Sequence, residues 1–132
     1  MKTILIIDDD KIFIKIFSDL AKREYSDRYT IISATDGQVG LQHASSSRPD
    51  IIVLDLMMPG MDGIEFLREM RSRGAHIPVL VSTHLADIDK ISEGIELGIK
   101  GYVVKSDYSL ESIFEEIGRI LEETNPQGSE SP

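Results

Sequence analysis

The sequence is 132 residues long, with 41% apolar and 28% charged residues, which suits a single globular domain with an aliphatic core. The formal net charge of −9 argues against nucleic acid as a partner, because phosphate backbones are bound by Lys and Arg. The absence of cysteine excludes disulfides, thiolate metal sites and cysteine nucleophiles.

Five short apolar runs recur along the chain, and most are rich in β-branched residues. In chain order they are Ile4–Ile7, Tyr29–Ala34, Ile51–Leu54, Val79–Ser82 and Tyr102–Val104. Few of them alternate apolar with polar residues, a pattern typical of strands that are buried on both faces of a parallel sheet. The first run is too short for a signal-peptide core or a membrane span, so we expect a cytoplasmic protein without a membrane segment.

Segments with the spacing of amphipathic helices follow each of these runs. In chain order their apolar stripes are Ile12, Phe13, Ile16, Phe17, Leu20 and Ala21; Val39, Leu41 and Ala44; Ile64, Leu67 and Met70; Ile88, Ile91 and Ile95; and Leu110, Ile113, Phe114, Ile117, Ile120 and Leu121. Apolar residues at positions i, i+3 and i+4 lie on one face of a helix, which packs against a core. Strand and helix are therefore expected to alternate along the whole chain.

This alternation predicts an α/β domain with a parallel five-stranded sheet, helices on both faces and right-handed crossovers. Among doubly wound folds, five strand–helix units fit the flavodoxin-like strand order 2-1-3-4-5. We expect the domain to span residues 1–123. The segment 124–132 has no large apolar residue that could anchor it, and we expect it to be disordered.

Acidic residues follow the first and third predicted strands. Asp8, Asp9 and Asp10 end the first strand, and Asp55 ends the third. Ligands of open α/β sheets bind beyond the carboxyl ends of the strands, and these two strands are neighbours in the predicted order, so Asp8, Asp9 and Asp55 should share a pocket. Carboxylates this close cannot all stay ionised without a cation among them, and Mg²⁺ prefers such oxygen ligands. Asp10 is expected to cap the first helix instead.

Two further strand ends carry polar groups. The fourth strand ends at Ser82-Thr83, and the fifth ends at Lys105. A hydroxyl and an ammonium that face a metal-bound carboxylate would stabilise a phosphoryl group on that carboxylate. A lone Thr or Lys at a strand end is usually packing, a cap or solvated surface, so the interpretation depends on four strand ends meeting at one place.

Four motifs resemble those of the receiver domains of two-component response regulators. They are Ile4–Asp10, Ile52–Gly63, Pro78–Thr83 and Gly101–Lys105, and the similarity runs from about Thr3 to Glu123. The resemblance implies that Asp55 is the phosphoacceptor. It also implies a set of supporting residues: Asp9, Asp55 and the Met57 backbone carbonyl as ligands of Mg²⁺, Asp8 acting through water, and Thr83 and Lys105 holding the phosphoryl oxygens.

The same resemblance implies partners and a switch. The phosphoryl donor would be a phosphohistidine on a sensor histidine kinase or a phosphotransfer protein, and the reader would be a downstream protein. Thr83 would move toward the phosphoryl group while Tyr102 changes between exposed and buried positions. No DNA-binding helix pair or output enzyme follows the last helix, so the signal would leave by protein contact or phosphorelay. Homodimerisation on phosphorylation is left open.

Some residues depart from the family pattern. Ser106 stands where Pro is usual, so the Lys105–Ser106 bond is expected to be trans. His84 is larger than the usual residue, and it could narrow the donor's approach, contact a partner or have no role. Met57 and Leu85 are apolar at positions that tune phosphoryl lifetime. Neither side chain can orient an attacking water, so we expect slow self-dephosphorylation. The resemblance implies no enzyme activity beyond self-phosphorylation and this slow dephosphorylation.

Two other functions remain open. A haloacid-dehalogenase-type phosphatase would use Asp8-Asp9-Asp10 as its Asp-x-Asp motif, but the acidic pair expected after the Lys and a cap domain are lacking, and the Asp55 loop would be unexplained. A receiver-like interaction module that no longer accepts phosphate is the other alternative, although every motif residue is present.

Overall fold

The computed structural model describes residues 1–84 and 88–124. Strands and helices alternate along these residues. In chain order they are β1 (Lys2–Ile7), α1 (Lys11–Glu24), β2 (Tyr29–Ala34), α2 (Gly37–Ser46), β3 (Ile51–Leu54), α3 (Gly63–Ser72), β4 (Val79–Thr83), α4 (Ile88–Glu96), β5 (Gly101–Val104) and α5 (Leu110–Thr124). No helix within the described ranges is long and apolar enough to cross a membrane.

All the strand pairs are parallel, and the sheet order is β2-β1-β3-β4-β5, which confirms the predicted topology. Ile7 is in register with Leu54, so β1 and β3 end side by side. The ladder continues one step further, because the Asp55 N–H donates to the Ile7 carbonyl at 3.0 Å. The acidic residues that follow both strands therefore begin at the same edge of the sheet.

Two apolar layers cover the two faces of the sheet. Leu5 and Ile7 of β1 pack in the layer that contains buried residues of α2, α3 and α4, whereas Ile4 and Ile6 pack in the layer of α1 and α5. All four of these side chains have no exposed surface. Successive residues of a strand point to opposite faces, so a strand buried on both sides is apolar throughout, as the sequence pattern indicated.

The buried face of α1 differs from the predicted stripe. Ile12 and Ile16 are 72% and 50% exposed, so their assignment to the core was wrong. Phe17 is fully buried and Phe13 is partly buried, and Leu20 and Ala21 complete the covered face. The helix carries so many apolar residues that two overlapping stripes have helical spacing, and only packing against the sheet selects one of them.

The other stripes agree better with the structure. The predicted apolar residues of α3 are buried, and those of α5 are buried or partly buried. In α4, Ile91 is buried but Ile95 is 57% exposed, which corrects its assignment to the core. The side chain of Ile88 lies outside the described residues. The last helix ends at Thr124, where the predicted tail begins, and residues 125–132 lie outside the described part of the chain.

Candidate functional site

Three carboxylates meet at the carboxyl edge of the sheet. Asp8 and Asp9 follow β1, Asp55 follows β3, and one oxygen of each lies within 4.8 Å of the others. Asp8 and Asp55 are 1% and 4% exposed, while Asp9 is exposed to solvent. The structure thus brings together the acidic residues that the sequence predicted to share a pocket.

The start of α1 separates Asp10 from this cluster. The Asp10 carboxylate accepts hydrogen bonds from the N–H groups of Ile12 and Phe13 at 3.0 and 3.1 Å, which makes it the N-cap of the helix. Its own N–H donates to the Asp8 carboxylate at 2.9 Å. Asp10 therefore caps the helix, as expected, and orients Asp8 through its backbone.

The loop after β3 holds Asp55 in place. The Met57 N–H donates to Asp55 Oδ1 at 3.0 Å, and the Gly63 N–H closes the loop by donating to the Leu56 carbonyl at 3.1 Å. A Cβ atom on Gly63 would lie 2.7 Å from the Asp55 carbonyl oxygen and from the Leu56 Cα. Glycine is required there because the first turn of α3 packs directly on the backbone of the loop.

Lys105 brings a cation into the cluster from the end of β5. Its N–H extends the ladder by donating to the Thr83 carbonyl at 2.8 Å. Its Nζ lies 2.5 Å from Asp8 Oδ2 and 3.7 Å from Asp55 Oδ2, and the side chain is only 4% exposed. This ammonium contacts two of the three carboxylates of the cluster, so the cluster retains an excess of negative charge.

The electrostatics of Asp55 follow from this crowding. Burial raises the pKa of the Asp55 carboxyl above its ordinary value, and the charges of Asp8 and Asp9 raise it further. The Met57 N–H and the Lys105 ammonium act in the opposite direction without cancelling the effect of burial. A carboxylate cluster with surplus negative charge and oxygen donors fits a small divalent cation such as Mg²⁺.

Two hydroxyls on β4 are buried without a partner among the described residues. Ser82 and Thr83 are each 1% exposed, and neither hydroxyl makes a hydrogen bond. An unpaired buried hydroxyl costs about 1–3 kcal/mol, so a native one usually serves a ligand or an ordered water. Polar residues that end an otherwise apolar strand were the sequence signal for this pair.

The remaining predicted residues lie around the cluster or away from it. The side chain of Met57 is 43% exposed, and the role of its carbonyl stays a prediction. Tyr102 is 48% exposed on β5, and His84 is exposed at the end of β4. The Lys105–Ser106 bond is trans, as expected. Leu85, the second residue of the dephosphorylation prediction, lies outside the described residues.

One contact at the site was not predicted. The Lys105 ammonium lies 4.2 Å from the centroid of the Phe13 ring. Phe13 appeared in the sequence only as one apolar residue of the first helix. Helical spacing alone does not distinguish an aromatic residue that packs in the core from one that contacts a charged group at the end of the helix.

Comparison with known proteins gives a consistent assignment. A family model described as the response regulator receiver domain matches residues 4–117. The response regulator MprA of Mycobacterium sp. (strain KMS) is 33% identical over 130 residues, which are 98% of this chain and 55% of that protein. MprA of Mycobacterium bovis (strain BCG / Pasteur 1173P2) is 33% identical over 124 residues, 94% of this chain and 52% of that protein. The chain spans about half the length of these curated relatives.

Solved structures share the fold over nearly their whole length. The receiver domain of the Francisella response regulator 1452 has a TM-score of 0.81 at 25% identity, covering 94% of this chain and 99% of that domain. The chemotaxis protein CheY4 of Vibrio cholerae has a TM-score of 0.74 at 30% identity, covering 90% and 98% of the two chains.

Proposed function

The chain belongs to the receiver-domain family of response regulators, and from that premise we propose that Asp55 accepts the phosphoryl group, with Mg²⁺ held by the carboxylates around it. Receiver domains of this family are phosphorylation-dependent signalling switches of two-component systems rather than metabolic enzymes. The observation that carries the proposal is the meeting of Asp8, Asp9 and Asp55 with the Lys105 ammonium at one edge of the sheet.

The two oxygens of Asp55 have different surroundings. Oδ1 accepts the Met57 N–H at 3.0 Å, whereas Oδ2 faces the Lys105 ammonium at 3.7 Å. We assign Oδ2 as the nucleophile, because the backbone bond holds Oδ1 in place and the ammonium lies beside the oxygen at which the phosphoryl group would arrive. Burial disfavours the ionised carboxylate, so the positive charge around it is needed to keep it ionised and nucleophilic.

The transfer from phosphohistidine balances without any other reactant. A P–O bond forms at Asp55 as the P–N bond of the donor breaks, and the donor ring, protonated on its other nitrogen, takes the electron pair of that bond and leaves as neutral imidazole. A loose transition state of this kind requires positioning and charge neutralisation rather than acid–base chemistry. Lys105 would neutralise one equatorial oxygen, and the unpaired Thr83 hydroxyl would donate to another.

The carboxylates would hold the cation. We assign Asp9, Asp55 and the Met57 carbonyl as direct ligands and Asp8 as a ligand through water, since Asp8 is already occupied by the Lys105 ammonium. When bound, Mg²⁺ would supply positive charge to the phosphoryl oxygens. The exposed position of Asp9 leaves the site open to solvent and to the donor.

The partners are proposed at the level of protein class. The donor would be a sensor histidine kinase or a phosphotransfer protein, and the reader would be a protein, since the net charge of −9 does not favour nucleic acid. Phosphorylation would draw Thr83 toward the phosphoryl group and shift Tyr102 from the exposed position seen here, altering the surface of α4, β5 and α5. That surface could also support a phosphorylation-dependent homodimer.

The test is incubation with acetyl phosphate and Mg²⁺, followed by intact-mass measurement. We expect one phosphoryl group on the wild-type protein, none on Asp55→Asn and normal labelling of Asp50→Asn. Asp50 is a suitable control because its carboxylate accepts the Thr3 N–H at 2.7 Å, at the opposite end of β1.

Other outcomes separate the alternatives. A wild-type protein that takes up no phosphoryl group would be an interaction module that does not use phosphate. Labelling that persists in Asp55→Asn would show that another residue accepts the phosphoryl group. The label should also decay slowly because Met57 cannot orient a water for hydrolysis, and a lifetime of seconds would contradict that expectation.

A further inference from the structure

We propose that Phe13 is a positioning residue for Lys105, whose ring face holds the ammonium in the phosphoacceptor site. The inference rests on the proposed function, because that function gives Lys105 its role at the phosphoryl oxygens. It extends the site from the sheet edge to α1, which otherwise contributes only its N-cap.

The geometry places the ring against the charge. The Lys105 Nζ lies 4.2 Å from the centroid of the Phe13 ring, well within the range of a cation–π contact. Phe13 is partly buried in the first turn of α1, where its N–H donates to the carboxylate of the Asp10 cap at 3.1 Å. The cap therefore fixes the backbone from which the ring projects toward the cluster.

A lysine in this position needs a fixed anchor. Its ammonium ends a flexible stem with four carbon atoms and is strongly hydrated in water, yet the Lys105 side chain is 4% exposed. Lost hydration must be replaced by protein groups, and an aromatic face attracts a desolvated cation more strongly than an exposed one. Phe13 supplies that face without adding another charge to an acidic cluster.

The contact with the ring differs from the ion pairs, because it does not depend on the charge of the carboxylates. The ion pairs of Lys105 with Asp8 and Asp55 depend on charges that change when a cation binds or when Asp55 is phosphorylated. The Phe13 ring has no ionisable group, so its attraction for the ammonium does not depend on those charges. We therefore assign Phe13 to keeping the ammonium in reach of the phosphoryl oxygens throughout the cycle.

Phe17 provides a matched control on the same helix. It is fully buried and stacks on Phe114 with the ring centroids 4.6 Å apart, so it belongs to the core layer of α1 and α5. Phe17→Leu and Phe13→Leu make the same chemical change, but only the second removes the ring from Lys105. A role in packing alone would predict the larger effect for Phe17→Leu on every measurement.

The kinetic experiment measures phosphorylation by acetyl phosphate at saturating Mg²⁺, by intact mass, alongside thermal melts. Phe13→Leu should slow phosphorylation by about 3- to 30-fold, the range that corresponds to a partly or fully desolvated cation–π contact. Phe17→Leu should lose more thermal stability, yet its rate per folded molecule should stay within about twofold of wild type. Phe13→Tyr retains the ring and should largely restore the rate.

A second readout does not depend on phosphorylation. In the metal-free protein, the ring current of Phe13 should shift the ε-methylene proton resonances of Lys105 upfield in the NMR spectrum. That shift should disappear in Phe13→Leu and persist in Phe17→Leu. An unshifted lysine resonance in the wild type, or equal slowing of phosphorylation in both leucine variants, would overturn the inference.

The failure of the proposed function would look different. A wild-type protein that is not phosphorylated at all, while the upfield shift is present, would contradict the function assigned to Asp55 and leave the ring contact without a catalytic role. A phosphorylated wild type with an unaffected Phe13→Leu variant would contradict only the role of the ring.

Discussion

At the residue scale, the buried hydroxyl of Thr83 does not stabilise the fold, and we explain its presence by the proposed function. It is 1% exposed and has no partner among the described residues, so folding gains nothing from it. An apolar isostere avoids the desolvation of the hydroxyl but cannot donate to a phosphoryl oxygen. A polar group that is retained at a cost to stability is typical of a ligand site.

Replacement of Thr83 by Val should therefore leave the free energy of unfolding unchanged or raise it by about 1 kcal/mol. The rate of phosphorylation by acetyl phosphate should nevertheless fall by roughly tenfold, the effect of losing one hydrogen bond to a charged group. Chemical denaturation and intact-mass kinetics measure the two quantities. Thr83→Ser keeps the hydroxyl and serves as the control. An unaffected phosphorylation rate in Thr83→Val would show that the Thr83 hydroxyl does not bind the phosphoryl group.

Asp55 also lowers the stability of the fold, because the proposed function requires a charged carboxylate in a buried position. Its raised pKa means that the ionised carboxyl is less favourable in the folded protein than in the unfolded chain. The resulting penalty is absent below the ordinary pKa of 3.8, develops as the pH rises through the folded-state pKa, and is fully present above it. Without a divalent cation, the ionised Asp55 carboxylate therefore destabilises the fold at neutral pH.

Asp55→Asn should raise the free energy of unfolding of the metal-free protein at pH 7 by about 1 kcal/mol, a typical size for relief of one crowded charge. The gain should shrink as the pH is lowered toward 4, where the wild-type carboxyl becomes protonated. Denaturant titrations in the presence of a chelator provide the measurement. Asp19→Asn, at an exposed residue paired with Lys15, should change little, and a destabilised Asp55→Asn would contradict the assigned sign.

At the element scale, the first turn of α3 packs against the loop that presents Asp55. Asp62 and Glu65 form a reciprocal cap that starts the helix, and Gly63 directly follows the cap. The absence of a side chain at Gly63 allows the helix to contact the backbone of Asp55 and Leu56. The position of Asp55, the proposed phosphoacceptor, thus depends on the start of a helix to which no functional side chain is assigned.

Gly63→Ala should lower the free energy of unfolding by about 1–3 kcal/mol, because a Cβ at 2.7 Å from two backbone atoms forces the loop to move. The same displacement should slow phosphorylation. Gly118→Ala in α5 is the matched control, since its Cβ would lie 3.7 Å from Arg28 and alanine favours a helix by about 1 kcal/mol. Thermal melts of the two variants should shift in opposite directions, and a shift in the same direction would contradict the packing described.

The helices also show which buried faces can be predicted from the spacing of apolar residues and which cannot. The buried faces of α3 and α5 were predictable because their apolar residues form a single stripe. The face of α1 was not, because Ile12 and Ile16 fit a helical stripe as well as Phe13 and Phe17 do. Helical rotation is selected by the sheet beneath, and so the contact of Phe13 with Lys105 could not be predicted from spacing.

At the scale of the whole molecule, the sheet topology assembles the site from residues far apart in the chain. Asp8 and Lys105 are separated by 97 positions and still form an ion pair at 2.5 Å. The alternation of strands and helices was sufficient to predict this convergence, because parallel strands all end at one edge. The unpaired state of the two β4 hydroxyls depends on side-chain packing, which no sequence pattern specifies.

Binding of a cation to the carboxylate cluster would stabilise the whole domain. A ligand that binds only the folded state adds about 2.7 kcal/mol to the free energy of unfolding at 100 times its dissociation constant. The assembled cluster of Asp8, Asp9 and Asp55 exists only when β1 and β3 are paired, so the unfolded chain offers no equivalent site. Magnesium should therefore raise the melting temperature of the wild-type protein.

A calorimetric titration of the purified protein with MgCl₂ measures directly whether the carboxylate cluster binds a divalent cation. We expect a single equivalent of Mg²⁺ per chain, with binding weakened at least tenfold in Asp9→Asn and Asp55→Asn and unchanged in Asp19→Asn. Each lost carboxylate removes a direct oxygen ligand, which is the physical reason for the loss. A wild-type protein that takes up no magnesium, or variants that bind it as tightly as wild type, would contradict the claim that these carboxylates form the site.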